Sequence, residues 1–239
     1  MLKEDIKINI FLLCYQEEEN LRLLLPKIHS VLESNNYNYE IIVIDTAKPK
    51  DNTRNVCEKF NVRYFNREPS DLYGDAFRTA IQKMNGTFSI FMDADGSHSP
   101  DFITTMIDKL SSDPTIDVLI ASRYMSGGKT DNTFLLVVMS RVLNILYAKL
   151  LGFNCKDVSN SFRLYRNSAL QEVTLKCKNF DILEELLFRL NNKKFKIVEI
   201  PFTFEKRIYG ESKRNLFFFT LSYFSTLCKL FFLKIFIRN

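Results

Sequence analysis

Two aspartates one residue apart, Asp93 and Asp95 in FMDADGSHSP (91–100), close an apolar run and are followed by Ser97, His98 and Pro100. Paired carboxylates on a short loop suit a hard divalent cation such as Mg²⁺ or Mn²⁺, which takes oxygen ligands and completes its shell with water and substrate phosphates. A metal held in this way can neutralise the charge that builds on a diphosphate leaving group. The spacing by itself equally describes an exposed acidic turn after a strand. Another acidic residue, Asp45, ends the apolar run EIIVID (40–45), and many Arg and Lys residues follow downstream.

The elements around these residues narrow the choice. Apolar, β-branched runs at 8–14, 40–45, 62–66, 88–93 and 117–122 have the texture of buried parallel strands. Amphipathic stretches at 19–34, 53–60, 74–84 and 101–111 separate them and are long enough for right-handed crossovers. This alternation predicts an open, doubly wound α/β sheet, which binds ligands beyond the carboxyl ends of its strands. Asp45, Asp93 and Asp95 fall at such ends and are expected to face one crevice.

Beyond residue 122 the pattern becomes helical over 133–153, where Ser140, Arg141 and Asn144 share one face and apolar residues cover most of the rest. A second helical stretch at 180–192 and a strand at 196–204 precede the final stretch, 216–237. That stretch is long enough to span a bilayer, which takes about 20 apolar residues. Lys229 and Lys234 interrupt it, and a lysine near a helix centre costs roughly 2.5–3.5 kcal/mol on insertion scales. A helix lying in the membrane plane is therefore favoured over a spanning one. A helix packed on the catalytic domain, with part of its phenylalanine in the core, is the third reading.

The chain has 239 residues, enough for one α/β domain with a tail, and its net charge of +5 is too mild to point to nucleic acid. Five cysteines at unrelated spacings, with no CxxC pair, fit reduced thiols in a cytosolic compartment. The first residues, MLKEDIKINI, place charges where a signal peptide needs its apolar core. SGGKT (126–130) imitates the end of a phosphate-binding loop, but Arg123 stands where that motif needs its first glycine. No GxGxxG follows a strand, which argues against a dinucleotide-binding dehydrogenase.

The segment FMDADGSHSPDFI resembles the D-x-D segment of inverting glycosyltransferases with the GT-A fold, of the glycosyltransferase family 2 type. It is most similar to that of polyprenol-phosphate (dolichol-phosphate) mannosyl- and glucosyltransferases, whose motif reads DADxSHxP. The likeness runs in register from residue 8 to about 215. CYQEEENL (14–21) resembles T-Y-N-E-x-E-N-L, YEIIVIDTAKPKDNT (39–53) resembles Y-E-I-I-V-V-D-D-x-S-x-D-G-T, and YGDAFRTAI (73–81) keeps Gly74 and Ala76 of a looser pattern. ASRYMSGG (121–128), DVSNSFRLYR (157–166) and RIYGESK (207–213) resemble the later motifs G/S-x-R-Y, D-x-T-x-S-F-R-x-Y and R-x-Y-G-x-S-K. The chain departs from the pattern at Leu13, Thr46 and Asn160, and through a loop one residue longer that carries Lys48 and Lys50.

The resemblance implies a GT-A domain over 1–215, with a mostly parallel, doubly wound sheet and flanking helices, and a membrane-associating apolar, basic helical tail over 216–239. It implies transfer, with inversion, of a hexose such as mannose or glucose from a GDP- or UDP-sugar to a polyprenyl phosphate, dolichyl or undecaprenyl. The reaction would use Mg²⁺ or Mn²⁺ and take place on the cytoplasmic face of a membrane. Carried over by position, Tyr15, Glu17, Asp45 and Gly74 line the nucleotide-sugar pocket, and Asp93 and Asp95 hold metal and diphosphate. Arg123, Arg141, Arg163, Arg207 and Lys213 are candidates for the diphosphate and the lipid phosphate, and Glu185 for the sugar hydroxyls. Asp95, Arg123, Arg207 and Glu185 form the candidate catalytic set. An ion pair between Arg163 and Glu185 that serves only the fold is the alternative for those two. A homo-oligomer or a membrane subunit as partner is left open.

The shortage of bases agrees with a phosphate acceptor. An alcohol needs a general base to take its proton, whereas a phosphate monoester, with a second pKa of about 6, is already largely dianionic at neutral pH. The chain has only two histidines, His29 and His98. Transfer to a glycan or protein hydroxyl, and a non-catalytic nucleotide-sugar-binding subunit, are the competing readings.

Overall fold

The computed structural model describes residues 6–207, Tyr209 and residues 216–238, the last stretch without the side chains of 216–219, 237 and 238. Through the first half strands and helices alternate: β1 (Ile8–Leu13), α1 (Glu18–Ser34), β2 (Tyr39–Asp45), α2 (Thr53–Lys59), β3 (Arg63–Asn66), α3 (Tyr73–Lys83), β4 (Phe88–Asp93), α4 (Phe102–Ser112) and β5 (Val118–Ser122). The second half holds β6 (Lys129–Thr130), α5 (Phe134–Leu151), β7 (Arg163–Arg166), α6 (Asn167–Gln171), α7 (Ile182–Asn192), β8 (Ile197–Pro201), β9 (Thr203–Phe204) and α8 (Leu216–Arg238).

Seven strands form one sheet in the order β3-β2-β1-β4-β7-β5-β8. β1 pairs in parallel with β2 and β4, β2 with β3, and β5 with β8. β7 alone runs against its neighbours, with Arg163 opposite Phe91 of β4 and Ile120 of β5. β6 and β9 form a separate parallel pair.

The strands read as unbroken apolar runs because both faces are covered. Ile10, Leu12, Val43, Ile90, Met92 and Leu119 point into one core with Leu21, Leu25 and Ile28 of α1 and Met106 of α4. Their neighbours Phe11, Ile42, Ile44, Phe91, Val118 and Ile120 point into the other, against Phe77 of α3 and Leu183 and Leu186 of α7. In that layer Phe91 stacks between Phe11 and Phe77, with ring centroids 5.0 and 4.3 Å away.

α8 joins this second core. Tyr223, Leu227 and Leu230 are buried there, the Tyr147 hydroxyl of α5 donates to the Tyr223 carbonyl at 2.7 Å, and Thr226 donates to Asp181. The stretch read from sequence as a separate tail thus packs one face on α5 and α7. Its other face leaves Leu221, Phe224, Phe232, Ile235 and Phe236 exposed.

α5 is amphipathic in the opposite sense to an ordinary surface helix. Its buried residues include Asn144 and Tyr147, while Phe134, Leu135, Leu136, Val138, Val142, Ile145, Leu146 and Leu150 face outward. Among the described residues it is the one helix long and apolar enough to cross a membrane by length and composition.

Candidate active site

The carboxyl ends of β1, β2 and β4 converge on one edge, and the reversed β7 brings the loop before it to the same edge. Asp93 is the last residue of β4. Its Oδ1 accepts the Ser161 hydroxyl at 2.9 Å, and its backbone N–H donates to His98 Nδ1 at 2.8 Å. That bond makes Nδ1 the acceptor, so the ring proton sits on Nε2. His98 is fully buried and stacks on Phe162 at 4.7 Å; burial holds its pKa down against the pull of Asp93 and Asp95. A neutral imidazole therefore shapes the loop.

Asp95 is nearly buried, and its two oxygens are used differently. Oδ1 accepts the Ser97 N–H at 3.0 Å and the Ser97 hydroxyl at 2.6 Å. Oδ2 accepts Arg207 Nε at 3.1 Å and pairs with Nη2 at 2.9 Å. Burial opposes its charge, but the Ser97 bonds and the Arg207 guanidinium outweigh it and hold the pKa below the usual carboxylate range. The pair offers oxygen donors only, and no group of three or more His, Cys, Asp and Glu able to hold a metal occurs among the described residues. Such a set fits Mg²⁺ or Mn²⁺ that draws its remaining ligands from water and substrate phosphate.

On the β1–β2 side, Asp45 is buried. Its Oδ2 accepts the Tyr64 hydroxyl at 2.9 Å, while Oδ1 has no protein partner. Burial raises its pKa. Tyr15 lies partly exposed after β1, and Lys50, one of the lysines in the lengthened loop, donates to its hydroxyl at 2.8 Å with Nζ 4.3 Å from the ring centroid. Lys50 also pairs with Asp71 at 2.6 Å, and Asp71 accepts the Ala47 N–H at 2.7 Å. Beneath them the buried Arg67 donates to the carbonyls of Cys14, Asp45 and Asp71. One guanidinium thus pins the loops after three strands, and Lys50 closes them from above. Glu17 accepts Asn20 Nδ2 at 2.6 Å and stands 3.8 Å from Arg207 Nη1.

On the β5–β7 side, Arg123 grips Asp157 through Nε at 2.8 Å and Nη2 at 2.7 Å, and reaches Ser159 at 2.9 Å. Burial disfavours the cation, but the Asp157 carboxylate raises its pKa. The loop is fixed further by Glu199, which accepts the N–H groups of Lys156 and Asp157, and by Asn144, which accepts the Val158 N–H at 2.6 Å. Asn144 Nδ2 also donates to Ser159 at 3.1 Å. Arg141 is exposed on α5, and its guanidinium and that of Arg123 lie 5.3 and 5.1 Å from the Tyr124 ring. The 157–161 loop therefore carries Ser161 to Asp93 at one end and ties Arg123 at the other.

The structure thus brings Tyr15, Glu17, Asp45, Asp93, Asp95, Arg123, Arg141 and Arg207 to one edge. Three other expectations are corrected. Arg163 sits mid-sheet, fully buried, and donates to the carbonyls of Leu183 and Val158 and to Tyr165; it joins α7 to the 157–161 loop and has no path to a phosphate. Glu185 pairs with Arg189 rather than Arg163, and its other oxygen accepts the N–H groups of Lys176 and Cys177, so it has no free acceptor for a sugar hydroxyl. Gly74 serves packing: its N–H donates to the Lys178 carbonyl, and a Cβ would lie 2.5 Å from the Cys177 oxygen. Lys213 lies outside the described residues, as does most of RIYGESK.

Sequence reasoning missed Asp157, Ser159, Ser161, Asn144 and Arg67 as parts of the site. The run of polar residues from Asp157 to Ser161, directly before an apolar strand, was the available signal. Nothing comparable marks Arg67.

Residues 10–174 match the family described as glycosyl transferase family 2. The chain belongs to that family. It is a glycosyltransferase, and curated relatives agree along most of its length. It is 31% identical over 216 residues to the dolichol-phosphate mannosyltransferase of Pyrococcus furiosus, a match covering 87% of this chain and 59% of that protein. The undecaprenyl-phosphate mannosyltransferase of Micrococcus luteus is 30% identical, with 84% of each chain covered. The polyprenol monophosphomannose synthase of Mycolicibacterium smegmatis is 28% identical, with 84% of this chain and 78% of that one covered. The glucosyl-3-phosphoglycerate synthase of Mycobacterium tuberculosis superposes with a TM-score of 0.72 over 95% of this chain and 78% of its own, at 17% identity. The mannosyl-3-phosphoglycerate synthase of Rubrobacter xylanophilus gives 0.71 over 94% and 73%, at 15% identity. The fold of this glycosyltransferase is GT-A.

Proposed function

We propose that this glycosyltransferase moves a hexose, mannose or glucose, from a GDP- or UDP-sugar to a polyprenyl phosphate, with inversion, at the cytoplasmic face of a membrane. The observation that carries the reading is the continuity between α5 and the metal edge. Arg141 stands on a helix whose outer face is apolar, and the 157–161 loop beneath it is hydrogen-bonded to Asp93. A phosphate joined to a long apolar chain has just this pairing of charge and grease. The names of the curated relatives, two polyprenol-type phosphate mannosyltransferases and a polyprenol monophosphomannose synthase, support the same acceptor.

In this reading Asp93 and Asp95 would hold Mg²⁺ or Mn²⁺, which would supply positive charge for the diphosphate leaving group. The solved relative bound to Mn²⁺ and UDP supports a metal of this class. Tyr15, Glu17, Asp45 and Lys50 border the nucleotide. Arg141, exposed on α5, steers the acceptor phosphate to the sugar, with the Arg123 charge behind it, guanidinium being well matched to phosphate oxygens. One phosphate oxygen attacks the anomeric carbon from the side opposite the leaving diphosphate; the new C–O bond forms as the old one breaks, and the configuration inverts. Because the acceptor is already a dianion, no protein base is needed. α5 and the outer face of α8 rest on the lipid surface.

The test uses purified protein, Mg²⁺ or Mn²⁺, a polyprenyl phosphate and a panel of labelled GDP- and UDP-sugars. Label is expected in the lipid phase with one donor. No lipid-phase label with any donor refutes the acceptor, and full activity of Asp95→Ala refutes the metal site.

A further inference from the structure

The residue on the metal pair is itself a cation. Both oxygens of Asp95 are occupied: Oδ1 by the Ser97 N–H and hydroxyl, and Oδ2 by Arg207 Nε and Nη2. A carboxylate oxygen has two lone-pair directions, and here both on Oδ2 are taken. A divalent ion cannot reach Asp95 until the guanidinium leaves.

Arg207 belongs to a segment fastened along the same loop. The Glu205 N–H donates to the Ser97 carbonyl at 3.1 Å. The Tyr209 N–H donates to Asn20 Oδ1 at 3.1 Å, Asn20 Nδ2 donates to the Tyr209 carbonyl at 3.3 Å, and Asn20 also holds Glu17. Glu205 is therefore tied to the aspartate loop and Tyr209 to the start of α1, with Arg207 between them in sequence and paired with Asp95.

We propose that Arg207 is a positioning latch that substitutes for the metal at Asp95 in the donor-free enzyme and couples metal binding to nucleotide diphosphate binding. Metal and guanidinium exclude each other at Oδ2. A diphosphate gives Arg207 a second anion that it can grip with two parallel bonds, so exchange is favourable when metal and nucleotide arrive together. The consequence is strong mutual enhancement between the two ligands, equal in both directions. This inference rests on the metal site proposed above.

The test is titration of the full chain with Mn²⁺, with free ion read by electron paramagnetic resonance, alone and with saturating UDP or GDP. In wild type, Mn²⁺ alone binds weakly and the nucleotide tightens it. Arg207→Ala is expected to bind Mn²⁺ alone up to about fivefold more tightly, as one competing, partly exposed ion pair is removed. The same variant is expected to lose most of the enhancement by nucleotide. Damage to the fold weakens metal binding, so a gain cannot come from a merely structural role. Arg207→Gln, which keeps most of the side-chain bulk, is expected to behave alike and stands in if Arg207→Ala does not fold. Mn²⁺ binding by both variants that is unchanged or weaker, or enhancement that survives in full, overturns the latch. Asp95→Asn separates the metal site from the latch: if it binds Mn²⁺ as wild type does, the metal site falls, and the latch with it.

Discussion

The outward face of α5 begins with its two most exposed apolar side chains. Phe134 is 84% exposed and Leu135 64% exposed, at the first two positions of the helix. A phenylalanine side chain can bury about 150–250 Å², so Phe134 leaves roughly 170 Å² in water. At about 25 cal/mol per Å², full immersion is worth about 4 kcal/mol, and seating half of it in a lipid headgroup layer about 2 kcal/mol. Leu135, by the same reasoning, adds about 1 kcal/mol. Phe134→Ser/Leu135→Ser should therefore lower partitioning onto vesicles by about 100-fold. Co-sedimentation with large unilamellar vesicles measures this. Thermal melting and nucleotide binding should not change, because neither side chain is buried. Vesicle binding equal to wild type refutes the role of α5. If Phe224→Ser/Phe236→Ser on α8 removes binding instead, the contact belongs to the tail.

Lys50→Ala should change affinity for UDP and GDP, read by calorimetry, because its ammonium lies against the Tyr15 ring and base stacking on an aromatic ring is worth about 1–3 kcal/mol; equal affinities to wild type for both would remove Lys50 from the nucleotide site. Asp157→Asn should lower stability in urea by about 3–5 kcal/mol, the range for removing one partner of a buried ion pair, and should abolish lipid glycosylation. Glu184 gives a pH signature. Its carboxylate is wholly buried with both oxygens unpartnered, and burial raises its pKa well above normal despite Arg163 nearby. A raised folded-state pKa means that its contribution is fully present below the unfolded value of about 4.3 and is lost as pH rises through the folded value. Melting temperature should therefore fall as pH rises from about 4.3 toward the raised folded value, and Glu184→Gln should flatten the curve; an unchanged slope in the variant refutes this.

The strands, their order of appearance and the aspartate loop were legible in sequence because each depends on local pattern. Ile8–Leu13, Tyr39–Asp45 and Phe88–Asp93 are buried on both faces, and continuous apolar runs record that. What stayed hidden depends on distance along the chain. Arg207 and Asp95 are 112 positions apart, and no periodicity announces their pairing. Arg163 misled for a related reason: an arginine in an apolar motif resembles a phosphate ligand until the strand beside it is known. Once it lies between β4 and β5, its guanidinium finds carbonyls rather than substrate. α8 carries phenylalanine on all sides, so its composition could not say which face packs and which is left exposed.

The reversed direction of β7 has a consequence for how such an enzyme changes over evolutionary time. Its first residue and the last residues of β4 and β5 lie at the same edge of the sheet, and everything between β5 and the Asp157 loop is an excursion that leaves from and returns to that edge. Substitutions on the outer face of α5, or turns added at the far end, would leave Ser161 against Asp93 where it is, and under the proposed function would change only the grip on lipid. If the proposed acceptor is correct, adaptation to a thicker bilayer or a longer polyprenyl chain can therefore proceed in one exchangeable module while the chemistry at the edge is left alone.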